Sequence, residues 1–90
     1  MRRVSFETSL GRMRGVVNDD TEVEAYPLYG SRLHHDPVPC KVVEMDDASQ
    51  DRLCEMFSSR RVLLRPDGWV TVELKDDWYG STEYRATVED

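Results

Sequence analysis

The sequence predicts an α+β domain, with one helix packed on six or seven short antiparallel strands that form a sheet or a partly open barrel. Three observations predict it. Apolar and polar residues alternate along most of the chain, clusters of turn residues interrupt that alternation, and a single stretch near residues 47–58 spaces its apolar residues as a helix does. Ninety residues, 39% hydrophobic and 33% charged, supply one small core, so residues 1–90 are expected to form a single domain.

The first strand is expected from Val4, Phe6, Thr8 and Leu10, which share one parity, with Arg3, Ser5, Glu7 and Ser9 on the other. Residues 12–17 repeat the pattern more weakly. Asn18, Asp19 and Asp20 then predict a turn, because Asn and Asp tolerate left-handed backbone and bond to it locally. Residues 21–29 alternate acid and apolar and are expected to return as a hairpin, with Pro27 ending the strand or sitting on an edge. Residues 30–37 read as a loop, and Val38–Met45 as another strand entered through Pro39.

The helix is expected to start at Asp47, with Gln50 reaching back three residues, and to bury Ser49, Leu53, Met56 and Phe57 on one face. Residues 61–65 form a short apolar strand. In the turn Pro66-Asp67-Gly68, proline presets φ, Asp bonds locally and Gly takes positive φ. Trp69–Lys75 alternates with Val70, Val72 and Leu74 inward, and the last strand, Thr82–Glu89, places Tyr84, Ala86 and Val88 together.

Charge is unevenly distributed. The formal net charge is −6, yet residues 1–16 carry four Arg against one Glu, while residues 17–31 carry four acids and no base. Within the helix Asp47, Asp51 and Glu55 recur every fourth residue, nearly opposite Leu53 and Phe57. A solvated helix face and an acidic recognition surface both produce that stripe. Arg2, Arg3, Arg12 and Arg14 form a basic patch if the first two strands pair, and cross-strand pairing with Glu22 and Glu24 is expected to neutralise it. Direct nucleic-acid binding is disfavoured by the overall acidity and by the lack of a phosphate-cradling glycine loop or an aromatic recognition strand.

Catalytic chemistry has little to stand on. His34, His35, Asp36 and Cys40 are the only grouping with several metal-capable side chains, but the paired short spacings of a zinc site are missing. Cys40 is expected as a buried thiol and Cys54 as core or boundary packing, both reduced. No nucleophile elbow or calcium loop occurs, so neither a cofactor nor a metal is expected. The apolar runs are too short to span a bilayer and the first residues lack a signal-peptide core, which predicts a soluble, cytoplasmic protein.

The aromatics complete the reading. Phe6, Phe57 and either Trp69 or Tyr84 are core candidates, whereas Trp78 and Tyr79 follow Asp76 and Asp77 in a loop. Large amphipathic rings beside carboxylates suit an interface with a basic protein. The expected function is therefore a small acidic, non-enzymatic protein-binding module using Asp47, Asp51, Glu55, Asp76, Asp77, Trp78 and Tyr79. Its narrower form is an inhibitor of a nucleic-acid-processing enzyme. That form rests on an analogy of class with small acidic phage proteins of the anti-restriction and anti-CRISPR kind, and no motif carries it. The alternatives are a structural or homo-oligomeric subunit held by sheet edges, and a small metal- or thiol-dependent enzyme.

Overall fold

The computed structural model describes residues 2–25, 37–57, 59–74 and 81–89. Strands β1 (Arg3–Thr8), β2 (Gly11–Ala25) and β3 (Val38–Met45) precede helix α1 (Asp47–Phe57). Strands β4 (Ser59–Leu64), β5 (Trp69–Leu74) and β6 (Ser81–Glu89) follow it. All neighbours are antiparallel and β6 returns to pair with β1, so the sheet closes into a barrel in chain order. Closure settles the choice between sheet and barrel that alternation alone left open. Among the described residues no helix is long and apolar enough to cross a membrane.

Period-two patterning fills the interior. Val4 and Phe6 of β1 face Gly15 and Met13 of β2 in register, and both pairs point inward. Val17, Val43, Leu53, Val62, Leu64, Val70 and Val72 complete the core, each at most 5% exposed. Tyr84 and Ala86 pack against it from β6, with the Tyr84 ring stacked on Phe6 at 5.3 Å. Val88, which shares their parity near the end of β6, is 38% exposed although its register partner Val4 is buried. Trp69 faces outward instead, with the Arg85 guanidinium over its ring at 5.6 Å.

The expected hairpin at Asn18–Asp20 does not form. Residues 11–25 are one strand, and β2 passes from β1 to β3 without reversing. Between Asn18 and Glu22 it advances four residues while β3 advances one, so the turn-forming residues make a bulge rather than a turn. The local chemistry is still that of a turn: the Asp20 amide donates to Asn18 Oδ1 at 3.1 Å. Arg2 and Lys41 hold the bulge from outside. Arg2 pairs with the Asp19 carboxylate, and Lys41 Nζ donates to the Asp19 carbonyl at 3.0 Å.

The first reversal falls at Ser9 and Leu10 instead. Thr8 pairs with Gly11, whose φ of 105° is glycine territory, and the Thr8 hydroxyl donates to the Gly11 carbonyl and accepts from the Leu10 amide. Leu10, expected on the inward parity, is therefore exposed in the turn. The turn at Pro66-Asp67-Gly68 forms as expected, with Gly68 at φ 89° and the Gly68 amide bonded to the Arg65 carbonyl.

Gly15 is the tight point. It pairs with β1 on one side and β3 on the other, and a Cβ there would stand 2.8 Å from the Glu44 carbonyl oxygen and 2.8 Å from Val43 Cγ1. Gly15→Ala is expected to lower stability by about 1–3 kcal/mol through overpacking. An unchanged urea midpoint for that variant would show that β2 and β3 do not meet this closely.

Candidate functional site

The helix is fixed to the barrel through its first turn. Asp46 is the cap, one residue earlier than the Asp47 the sequence suggested: its Oδ1 accepts from the Ser49 amide at 2.8 Å and its carbonyl accepts from Gln50. Capping works from Asp46 because that residue also ends the ladder, its amide donating to the Arg14 carbonyl at 3.0 Å. Ser49, buried at 1% exposure, accepts from the Arg14 amide through its hydroxyl at 2.9 Å. One residue of β2 thus bonds both the cap and the first turn. Leu53, with no exposed surface, places the next turn in the core.

Orientation of the acidic stripe follows from that anchoring. With Ser49 and Leu53 inward, the 100° step per residue turns Asp47, Asp51 and Glu55 outward, and all three are exposed. Cys54, expected at a core boundary, is also exposed and accepts from Gln50 Nε2 at 3.3 Å. It sits one residue past Leu53, which rotates it off the buried face. Arg52 lies back along the helix, bonding the Ala48 carbonyl at 3.3 Å and reaching the Leu10 carbonyl at 3.4 Å. The side chains of Met56 and Phe57, and residues Asp76, Asp77, Trp78 and Tyr79, lie outside what the structure describes. Leu74 pairs with Ser59, just after the helix, and Ser81 pairs with Glu73, so both strand ends flanking 76–79 stand at the helix end of the barrel.

Several strand carboxylates have partners that, among the described residues, the helix carboxylates lack. Arg61 grips Glu73 with two bonds of 2.8 and 2.9 Å, which raises the guanidinium's already high pKa. Arg65 pairs with Glu83 at 2.7 Å and with Asp67, and Lys41 lies 3.4 Å from Glu22. Among the described residues, no ion pair takes Asp47, Asp51 or Glu55.

The arginine patch is real but only partly neutralised, and by other partners. The expected pairing with Glu22 and Glu24 fails because β2 runs on past the end of β1 and carries both glutamates alongside β3. Arg2 goes to Asp19, and Arg12 is bonded by the Ser5 hydroxyl at 3.0 Å with Glu7 at a longer 3.8 Å. Arg3 and Arg14 stay exposed, and with Arg12 they line a groove of about 310 Å³ on the outer wall of β6, β1 and β2. Sequence reasoning named these arginines but missed Ser5 and Thr87, which line the same groove. Strand parity was the available signal for Ser5, which alternates with Arg3 on the outward face.

A second, smaller hydrophobic cluster lies on the outer face of β2, β3 and β4. Cys40 is buried there at 1% exposure with Ala25 and Leu63, and burial pushes its thiol pKa up, which disfavours the thiolate. Arg65 Nε and Thr71 Oγ1 are buried without a hydrogen-bond partner among the described residues. His34, His35 and Asp36 lie outside those residues, among which no three metal-capable side chains converge. Comparison with protein-family models, curated proteins and solved structures finds no match.

The cap supplies a test with a sign. Bonds from the Ser49 amide and hydroxyl hold the Asp46 carboxyl below its usual 3.8. A depressed folded value stabilises the fold above the unfolded value and loses that contribution as pH falls through the folded one. Asp46→Ala is therefore expected to cost about 1 kcal/mol at neutral pH. The difference from the parent protein should shrink as pH drops below 3.8. Denaturation midpoints measured across that range check it; a difference constant with pH would remove the charged cap.

Proposed function

We propose that the protein is a non-enzymatic binding module whose acidic helix face engages a basic surface on another protein. The observation that carries this reading is that Asp47, Asp51 and Glu55 are exposed together on one helix face and enter no ion pair among the described residues, whereas Asp19, Glu22, Glu73 and Glu83 on the strands are paired. Helix stability does not favour the stripe, since like charges four apart repel by a few tenths of a kcal/mol each. Glu55 near the helix C-terminus is also on the wrong end of the dipole. Unpaired charge of one sign raises the association rate with a basic partner and makes it salt-dependent.

The topology supports a wider surface. Leu74 and Ser81, the described residues flanking the sequence Asp76-Asp77-Trp78-Tyr79, stand at the end of the barrel that carries the helix. Two acids and two large rings in that segment, with the helix acids, have the composition of an anchored interface. In its narrower form the partner is a nucleic-acid-processing enzyme, and the carboxylates occupy positions that phosphates otherwise take. The open strand edge offers less to the subunit alternative. Among the described residues, no strand pairs with Thr21–Ala25 on the side away from β3, and exposed Glu22 and Glu24 charge that edge against strand addition.

Affinity capture from nuclease-treated native lysate is expected to return one stoichiometric partner that releases as salt rises. Charge reversal by Asp47→Lys, Asp51→Lys and Glu55→Lys together, and separately Trp78→Ala, should each weaken that complex by about tenfold or more. Binding unchanged in folded variants overturns the assignment. For the narrower form, DNA or RNA should compete with the protein for its partner, and simultaneous binding of both would reject mimicry.

A further inference from the structure

We propose that the groove on the outer wall of β6, β1 and β2 is an anion site that takes a small phosphorylated molecule of about mononucleotide size. Three arginines, Arg3, Arg12 and Arg14, line it together with Ser5, Thr87 and Glu89. Formal charge at the lining is therefore +2, in a protein whose total is −6. Strand geometry makes the three cations converge. Arg12 and Arg14 are two residues apart on the same face of β2, about 7 Å along the strand. Arg3 stands on the adjacent strand, and Ser5 lies opposite both Arg14 and Thr87 in register.

The donor set suits phosphate. A guanidinium fork matches two phosphoryl oxygens, and hydroxyls donate to the third. Ser5 Oγ accepts from Arg12 Nη1 at 3.0 Å, which leaves the Ser5 hydroxyl proton available to donate. Neither Arg3 nor Arg14 has an ion pair among the described residues, so binding an anion there breaks no bridge. The nearest carboxylate on Arg12 is at 3.8 Å, too long for a hydrogen bond. A volume of about 310 Å³ is at the small end of ligand sites, which run roughly 300–1,000 Å³. It leaves room for more than a bare phosphate. The walls are backbone-bonded strands on both sides of β1, so the cations are held by a ladder and not by a loop.

Calorimetric titration of the full chain with pyrophosphate, a nucleoside diphosphate and inorganic phosphate at low ionic strength tests the site. Saturable one-to-one binding of the diphosphates is expected, with amide resonance shifts confined to Arg3–Ser5, Arg12–Gly15 and Thr87. Arg14→Gln should weaken it by about tenfold, and adding Arg3→Gln by about tenfold again. Lys41→Gln, which removes a positive charge elsewhere, should leave it unchanged. A nucleoside diphosphate that binds more tightly than pyrophosphate supports a ligand with an organic part, and equal affinity supports recognition of the phosphoryl groups alone. No saturable binding at millimolar ligand, or binding indifferent to the double variant while its amide fingerprint stays native, overturns the proposal. Binding of a long oligonucleotide with none of any diphosphate overturns it too, in favour of a polyanion surface.

Discussion

A hydrogen stands at Gly15 where any other residue carries a Cβ, and the Glu44 carbonyl oxygen comes within 2.8 Å of that empty position. Because β3 closes on β2 there, Asp46 reaches the Arg14 carbonyl, caps the helix and brings Ser49 onto the Arg14 amide. The helix can then insert Leu53 into the core and return the chain to β4. Helix position and the outward turn of Asp47, Asp51 and Glu55 thus depend on one close approach between two strands. Side-chain packing elsewhere in the core is the ordinary interdigitation of valines and leucines, which tolerates change more readily.

Partition of the charges follows from the same path of β2. Had the chain reversed at Asn18, Glu22 and Glu24 would have lain beside the arginines of the first two strands. The bulge instead keeps β2 running, and Glu22 meets Lys41 on β3. Exposed pairs of this sort contribute about 0–1 kcal/mol, so folding does not demand one arrangement over another. The half-buried bidentate Arg61–Glu73 pair and the Arg65–Glu83 bond have better geometry, and both lie on the β4–β6 wall. Arginines on β1 and β2 and carboxylates on α1 are left as separate surfaces of opposite sign.

Much of this fold was legible. Alternation in Val70 and Val72, the turn at Pro66-Asp67-Gly68 and the bounds of β3 all follow from local rules that tertiary packing did not override. The helix was legible for the same reason, with its cap displaced by one because Asp46 and Asp47 are chemically equal and only the ladder bond to Arg14 distinguishes them. Asn18-Asp19-Asp20 misled because its preference is local: Asp20 still bonds Asn18, but Arg2 and Lys41 straighten the path around it. Closure was not legible at all, since pairing of β6 with β1 joins residues at opposite ends of the chain. The acidic stripe could be read from spacing alone. The groove needed the register that puts Ser5 between Arg14 and Thr87.

An acidic protein with an anion groove is less contradictory than its net charge suggests. At physiological salt the Debye length is about 8 Å, so an approaching anion responds mainly to charges within about that distance. At the groove those include Arg3, Arg12, Arg14 and Glu89, with Glu7 3.8 Å from Arg12, a locally positive balance, and the total of −6 is felt mainly at long range and low salt. The helix acids obey the same rule toward a basic partner, since Asp51 stands about 6 Å along the axis from both Asp47 and Glu55. Arg14 joins the two regions covalently, its backbone holding the first turn of the helix and its side chain lining the groove. Electrostatics therefore separate the two surfaces, while β2 fixes their relative position in the barrel.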